Sequence, residues 1–180
     1  DSKLFERVKY VYDNMELENL NTEQKRLISE NYKDFTLNGA LLNDRDKEKL
    51  RKIDEELSKL SPKFSQNTLN ATNEYSYFTE DESELSGIPD LVKNQAAETA
   101  KKKGKKTGWM LTLQMPCYMP IIQFAENRKL RETMSREFGK ICFGGKFDNQ
   151  EIIKQTVSLR YEKARILGFK NHADYTLQKR

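Results

Sequence analysis

The sequence has 180 residues, with 32 Lys and Arg against 28 Asp and Glu, a formal net charge of +4, and 33% of its residues charged. That length suffices for one domain of ordinary size, or two small subdomains, with a real core. With 8 Gly and 4 Pro among many Lys, Glu, Leu and Asn, the composition points to helices with solvated charged faces, and Phe, Tyr, Leu and Ile are too frequent and too regularly placed for a disordered chain.

The opening Asp1-Ser2-Lys3 leads straight into an amphipathic pattern rather than a signal-peptide pattern. Leu4, Phe5, Val8, Val11, Tyr12 and Met15 fall on one stripe, which predicts a helix over 3–16. Asn21 and Gln24 form a capping-box pair, and Leu27, Ile28, Tyr32 and Phe35 continue as a second helix that stops near Asn38-Gly39. Asn43 is placed to cap a third, long helix over about 44–75, with Asp44 and Asp46 in its first turn, where the helix dipole favours negative charge. Its seam runs through Leu50, Ile53, Leu57, Leu60, Phe64, Ala71 and Tyr75. Pro62 interrupts it, so a kink near Ser58–Pro62 or two abutting helices is expected.

Residues 75–79 and 109–113 are the two strand candidates, expected to pair across a helix over 89–103 that starts at Pro89 and ends at Gly104. That helix is expected to turn Leu91, Val92, Ala96, Ala97 and Ala100 inward. Short helices follow over 118–125 and 128–138, then a loop over 139–149 containing Gly144-Gly145. Asn149 is placed to cap a helix through Ile152, Ile153, Thr156, Val157, Leu159, Ala164 and Leu167 that Gly168 ends. Asn171, with Asp174 three residues on, opens the last helix. The fold class is therefore mainly α: about eight helices with one small two-stranded β element. Residues 1–180 read as a single helical segment, divisible into 1–75, 76–116 and 117–180.

The residue inventory for chemistry is thin. His172 is the single histidine, beside the Asn171 cap, and the zincin motif His-Glu-x-x-His is absent. Cys117 and Cys142 give neither a disulfide framework nor metal spacing, and nothing pairs either with His172 as a nucleophile. Phe143-Gly144-Gly145-Lys146 lacks the spacing of a phosphate loop. Asp54, Glu55 and Glu56 read as a solvated helix face. The basic run Lys101, Lys102, Lys103, Lys105 and Lys106, near Trp109, reads as a helix end in which positive charge meets the carbonyl end of the dipole, rather than as a nucleic-acid surface. No apolar run approaches the about 20 residues of a membrane span. The start at Asp1 rather than Met, and a stretch to Arg180 without a helix stop, lead to the expectation that both ends are cuts in a longer protein.

Several blocks, in order, resemble one family. They are Asn31-Tyr32-Lys33-Asp34-Phe35, the helix Leu50 to Leu60, Phe64-Ser65-Gln66-Asn67, Leu85-Ser86-Gly87-Ile88-Pro89 and Trp109 to Pro116. Glu126-Asn127-Arg128-Lys129-Leu130-Arg131-Glu132 and the closing Leu167-Gly168-Phe169-Lys170-Asn171-His172-Ala173-Asp174-Tyr175 complete the series. Together they resemble the region upstream of the catalytic motif in thimet-oligopeptidase-like zinc metallopeptidases, the bacterial peptidyl-dipeptidase branch most closely. The resemblance implies a larger, two-lobed helical parent enzyme with a deep channel. Its zinc would be held by a His-Glu-x-x-His helix and a downstream Glu, with the motif Glu as general base. Its partners would be short peptide substrates and the remainder of the parent chain, with no nucleic acid and no membrane. A cytoplasmic location is expected, with the periplasm as alternative. No catalytic, cofactor-binding or metal residue of the family maps onto this sequence, so the segment is expected to be scaffold and channel wall, inactive by itself and binding no cofactor. A standalone helical interaction module is the competing reading.

Overall fold

A computed structural model of the chain describes residues 2–16 and 19–179. Asp1 and Arg180, the outer bounds of the expected segment, lie outside the described residues. Eight α-helices and a two-stranded antiparallel sheet are present among them. The chain divides into two compact units, one of residues 1–60 and 154–180, the other of residues 61–153.

In the first unit, α1 (Ser2–Asn14) and α2 (Thr22–Leu37) meet through aromatic rings: Tyr12 stacks on Tyr32 at 3.9 Å and Phe5 lies 5.6 Å from Phe35. The capping box closes as the sequence predicts, with the Gln24 N–H on Asn21 Oδ1 and the Asn21 N–H on Gln24 Oε1, each 2.9 Å. Two backbone donors that a helix start would leave orphaned are thereby satisfied. Gly39 follows the end of α2 at φ +85°, with Leu50, Leu42 and Leu167 crowded against it.

The long helix α3 (Asp44–Glu74) is one element with Pro62 inside it, so of the two expected alternatives the pair of abutting helices is not realised. Asn43 Oδ1 accepts from the Asp46 N–H at 2.9 Å and caps it. Leu50, Ile53 and Leu60 are buried in the first unit, as is Ala164 of α7 (Gln150–Ile166). The boundary between the units falls at Leu60–Ser61, next to the proline that interrupts the helical hydrogen-bond ladder.

The second unit holds the larger core. Strands β1 (Ser76–Thr79) and β2 (Trp109–Thr112) pair antiparallel, Ser76 opposite Thr112 and Thr79 opposite Trp109, across α4 (Asp90–Lys102). Leu85, Ile88, Val92, Ala96, Leu111, Leu113, Ile121, Ala125, Leu130 and Met134 form one cluster with α5 (Met115–Phe124) and α6 (Arg128–Gly139). Tyr118 stacks on Phe138 at 4.2 Å beside it. Two expectations for α4 need correction. Pro89 takes the N-cap position at φ −57°, ψ 140° rather than the first turn. Leu91 points to solvent at 69% exposure, because the buried positions Val92, Ala96 and Ala100 step by four and leave Leu91 about 100° round the helix.

Two of the quoted blocks interlock in this core. Gly87, at φ +81°, presses so close to the carbonyl of Phe124 that a Cβ there would stand 2.2 Å from the oxygen. Beside it, Glu126 N–H donates to the Ser86 carbonyl at 2.8 Å, and Ser86 Oγ donates to the Glu126 carboxylate at 2.6 Å. Asn127 then caps α6 through Lys129 and Leu130, while Arg131 donates back to the carbonyls of Ala125 and Glu126.

Candidate functional site

The residue types that carry chemistry are dispersed into structural roles. Asp54 accepts from Lys163 at 2.7 Å, Glu55 pairs with Arg51, and Glu56 pairs with Lys59 at 2.7 Å, so the carboxylate trio is a set of solvated ion pairs. Pairs this exposed contribute little each. The basic run behaves as a helix end: Lys101 and Lys102 close α4, Lys103 caps it, and Gly104 turns the chain at φ +81°. Lys101 pairs with Glu98 at 2.9 Å, and Lys105 Nζ sits 4.6 Å from the centre of the Phe78 ring.

Cys117 and Cys142 are both half-buried free thiols of the second unit. Cys117 Sγ accepts from the Thr112 N–H at 3.4 Å, and Cys142 Sγ lies 3.7 Å from Thr68 Oγ1. His172 belongs to the first unit. Cys142 is also the one non-glycine residue with left-handed backbone among those described, at φ 59°. Gly144 and Gly145 follow it at φ +77° and +71°, so the loop is a run of left-handed turns rather than a phosphate cradle.

One constellation in the second unit was not legible in the sequence. Asn149, expected only as a cap, is 1% exposed. Its carbonyl takes the first helical bond of α7 from the Ile153 N–H at 2.9 Å, as a capping residue's does. Its side chain turns to α3, where Nδ2 donates to the Phe64 carbonyl at 3.1 Å and Oδ1 accepts from Asn67 Nδ2 at 2.9 Å. The available signal was the Phe64-Ser65-Gln66-Asn67 block of α3. A cleft of about 420 Å³ opens in the same unit, lined by Tyr75, Leu113, Ile141, Phe147 and the Gly144–Gly145 backbone, with Glu74, Glu137, Lys140 and Lys146 at its charged positions. Burial, with Glu137 nearby as a lesser cause, holds the Tyr75 phenol above its usual range. That group stays neutral at physiological pH rather than acting as a base.

In the first unit, Asn171 caps α8 (His172–Thr176): the Asp174 N–H donates to Asn171 Oδ1 at 2.9 Å, and Asn171 Nδ2 returns a bond to Asp174 Oδ2 at 3.0 Å. His172 begins that helix, with its imidazole 6.1 Å from the Tyr175 ring. Burial, then the Arg160 and Lys163 cations, lower its pKa. A zinc site of the kind the resemblance implies for the parent needs three or more protein ligands brought together. No such group of His, Cys, Asp and Glu side chains exists among the described residues, so this set does not fit the metal. No described helix is long and apolar enough to cross a membrane.

Comparison with known proteins agrees with the quoted blocks. Residues 121–180 match the model of Peptidase family M3. The probable cytosolic oligopeptidase A of Arabidopsis thaliana is 34% identical over 97% of this chain and 26% of its own length. Oligopeptidase A of Escherichia coli (strain K12) is 34% identical over 86% of the chain and 23% of its own. The dipeptidyl carboxypeptidase of Salmonella typhimurium is 28% identical over 98% of the chain and 26% of its own. The chain therefore spans about a quarter of the length of these curated relatives.

Proposed function

We infer, for a chain that belongs to peptidase family M3, that it is the helical scaffold and channel-wall segment of a zinc-dependent oligopeptidase acting on short peptides. The single observation that carries this reading is the likeness along 97% of the chain at 34% identity to an oligopeptidase A, with the family model matching its last third. The interlocked Ser86–Gly87 and Glu126–Arg131 blocks support it. They give a packing reason for the stretches that make the chain look like a peptidase, and that reason is architectural rather than catalytic.

On this reading the hydrolytic residues and the metal ligands lie elsewhere in the parent chain, and no residue described above is a catalytic or zinc-binding group. The segment alone is inactive, and its partners are the rest of the parent and, through the channel, short peptides. Nucleic acid and membrane are not among them, and the parent works in the cytoplasm, with the periplasm as the alternative. Release of C-terminal dipeptides is the finer form of the proposal. The relative named a dipeptidyl carboxypeptidase, 28% identical, supports it.

The test pairs the parent reading frame with the isolated chain. A frame that continues into His-Glu-x-x-His and a later Glu, with chelator-sensitive cleavage of quenched peptides by the full protein, is the expected result. A panel of peptides with free and blocked C-termini then separates dipeptide release from internal cleavage. Stoichiometric zinc in the isolated 180-residue chain, or peptide cleavage by it, would falsify the division of labour.

A standalone helical interaction module is the second reading. It is favoured by Val157 and Tyr161, four apart on α7 and exposed by 61% and 53%. A frame that starts just before Asp1 and stops just after Arg180 would move this reading to the front.

A further inference from the structure

The sequence holds one histidine, and the fold places it where a proton is costly. His172 Nδ1 is buried and has no hydrogen-bond partner. The other ring nitrogen is accounted for. Thr176 spends its single hydroxyl proton on the His172 carbonyl at 2.9 Å, so its Oγ1 is left to accept from Nε2–H at 3.4 Å. The network therefore assigns the neutral Nε2–H tautomer and leaves Nδ1 as a bare lone pair.

Among the described residues, the charged groups that act on the imidazole are cations. Arg160 and Lys163 of α7 both act on it with positive charge. Among the described residues, Asp174 bonds with Asn171, Asp54 of α3 pairs with Lys163 at 2.7 Å, and Asp34 of α2 pairs with Lys179 at 2.8 Å. The docking of α8 runs through the same few side chains, with Phe169 5.5 Å from the Tyr175 ring and Lys163 Nζ 5.9 Å from its centre.

We propose that His172 is a pH-operated latch: the neutral imidazole holds α8 against the end of α7, and a proton at Nδ1 releases it. The trapped lone pair is the geometric basis. A proton there becomes an N–H without an acceptor, beside two cations, and opening α8 to water removes both penalties. Burial, Arg160 and Lys163 all lower the folded-state pKa, so the folded chain binds fewer protons than the unfolded one around the ordinary histidine value of 6.5. The contribution to stability is thus complete above pH 6.5 and is lost as pH falls below it.

A single histidine makes the test clean. The 180-residue chain is labelled at its imidazole nitrogens and titrated from pH 8 to pH 4.5 by NMR. The expected result is an Nε2–H tautomer at the alkaline end and a midpoint below 6.5. Phe169, Tyr175 and Thr176 signals should move with that midpoint. Amide exchange across 171–177, corrected for its intrinsic pH dependence, should quicken by up to about tenfold per pH unit below 6.5. His172→Phe keeps an apolar ring in place and should retain a docked α8 without the pH response. An Nδ1–H tautomer, a midpoint at or above 6.5, α8 signals that ignore the titration, or a pH response surviving in His172→Phe would each overturn the latch.

Discussion

Gly87 and the carbonyl of Phe124 occupy one another's van der Waals space so fully that no side chain can be placed between them: a Cβ on residue 87 would lie 2.2 Å from that oxygen. The contact joins the turn before α4 to the end of α5, where Ile121 and Ala125 are buried. Because the obstacle is backbone, it cannot swing aside.

Gly87→Ala is therefore expected to lower the stability of the chain by about 3 kcal/mol or more, from left-handed strain plus the clash. Gly104→Ala is the matched control, at the same φ of +81° with nothing within 4 Å of the added carbon, and should cost about 1 kcal/mol. Urea unfolding of the two variants decides it, and equal losses would mean that the Phe124 contact is not the cause.

Leu111→Ala removes a side chain that is fully buried at the centre of the second unit's cluster and should cost about 2–5 kcal/mol. Leu91→Ala, on the exposed side of α4, should stay within about 0.5 kcal/mol of the parent. Thermal unfolding of both checks the assignment of the helix faces.

The sequence predicts these elements unevenly, and the reason is range. Asn21 with Gln24, Asn43 before Asp46, and Asn171 with Asp174 are visible because both partners lie within three residues and helix capping is local chemistry. The strand pair was legible from its alternation. The tertiary features were not. Leu91 looks like a core residue until the packing of Val92 and Ala96 fixes the phase of α4. Asn149 reads as an ordinary cap because its partners on α3 are more than 80 residues away.

Asn149→Ala should destabilise the chain by about 1–3 kcal/mol, since it leaves the Asn67 amide only a long bond to the Asp148 carbonyl at 3.5 Å and removes one of the bonds that the Phe64 carbonyl accepts. Asn149→Asp keeps the acceptor toward Asn67 but faces the Phe64 carbonyl with a lone pair, so it should be at least as harmful at neutral pH. Denaturant titration of both variants tests this, and an innocuous Asp variant would contradict donation from Asn149 Nδ2 to the Phe64 carbonyl.

A half-buried carboxylate in the first turn of α3 gives a separate acid response. Hydrogen bonds from Lys49, then Asn43, hold Asp46 below its ordinary 3.8. A depressed carboxylate contributes stability that is present above the unfolded-state value and is lost as pH falls through the folded one. Partial exposure makes the contribution small and salt-sensitive. Carboxyl-carbon NMR titration should place the Asp46 midpoint below 3.8 at low ionic strength and move it upward in 1 M salt, whereas a midpoint above 3.8 would refute the assigned partners.

The side-chain bond between Asn67 and Asn149 ties together positions 82 apart in the chain. Closing a loop of that length costs about 4 kcal/mol of chain entropy. A bond of that kind is made cheaply only after the intervening strand pair, α4, α5 and α6 have drawn its two ends near. It should accordingly be absent from the folding transition state, so that Asn149→Ala leaves the refolding rate almost unchanged and accelerates unfolding. The amide bond would then act as a ratchet, adding nothing to how quickly the second unit assembles and much to how long it lasts.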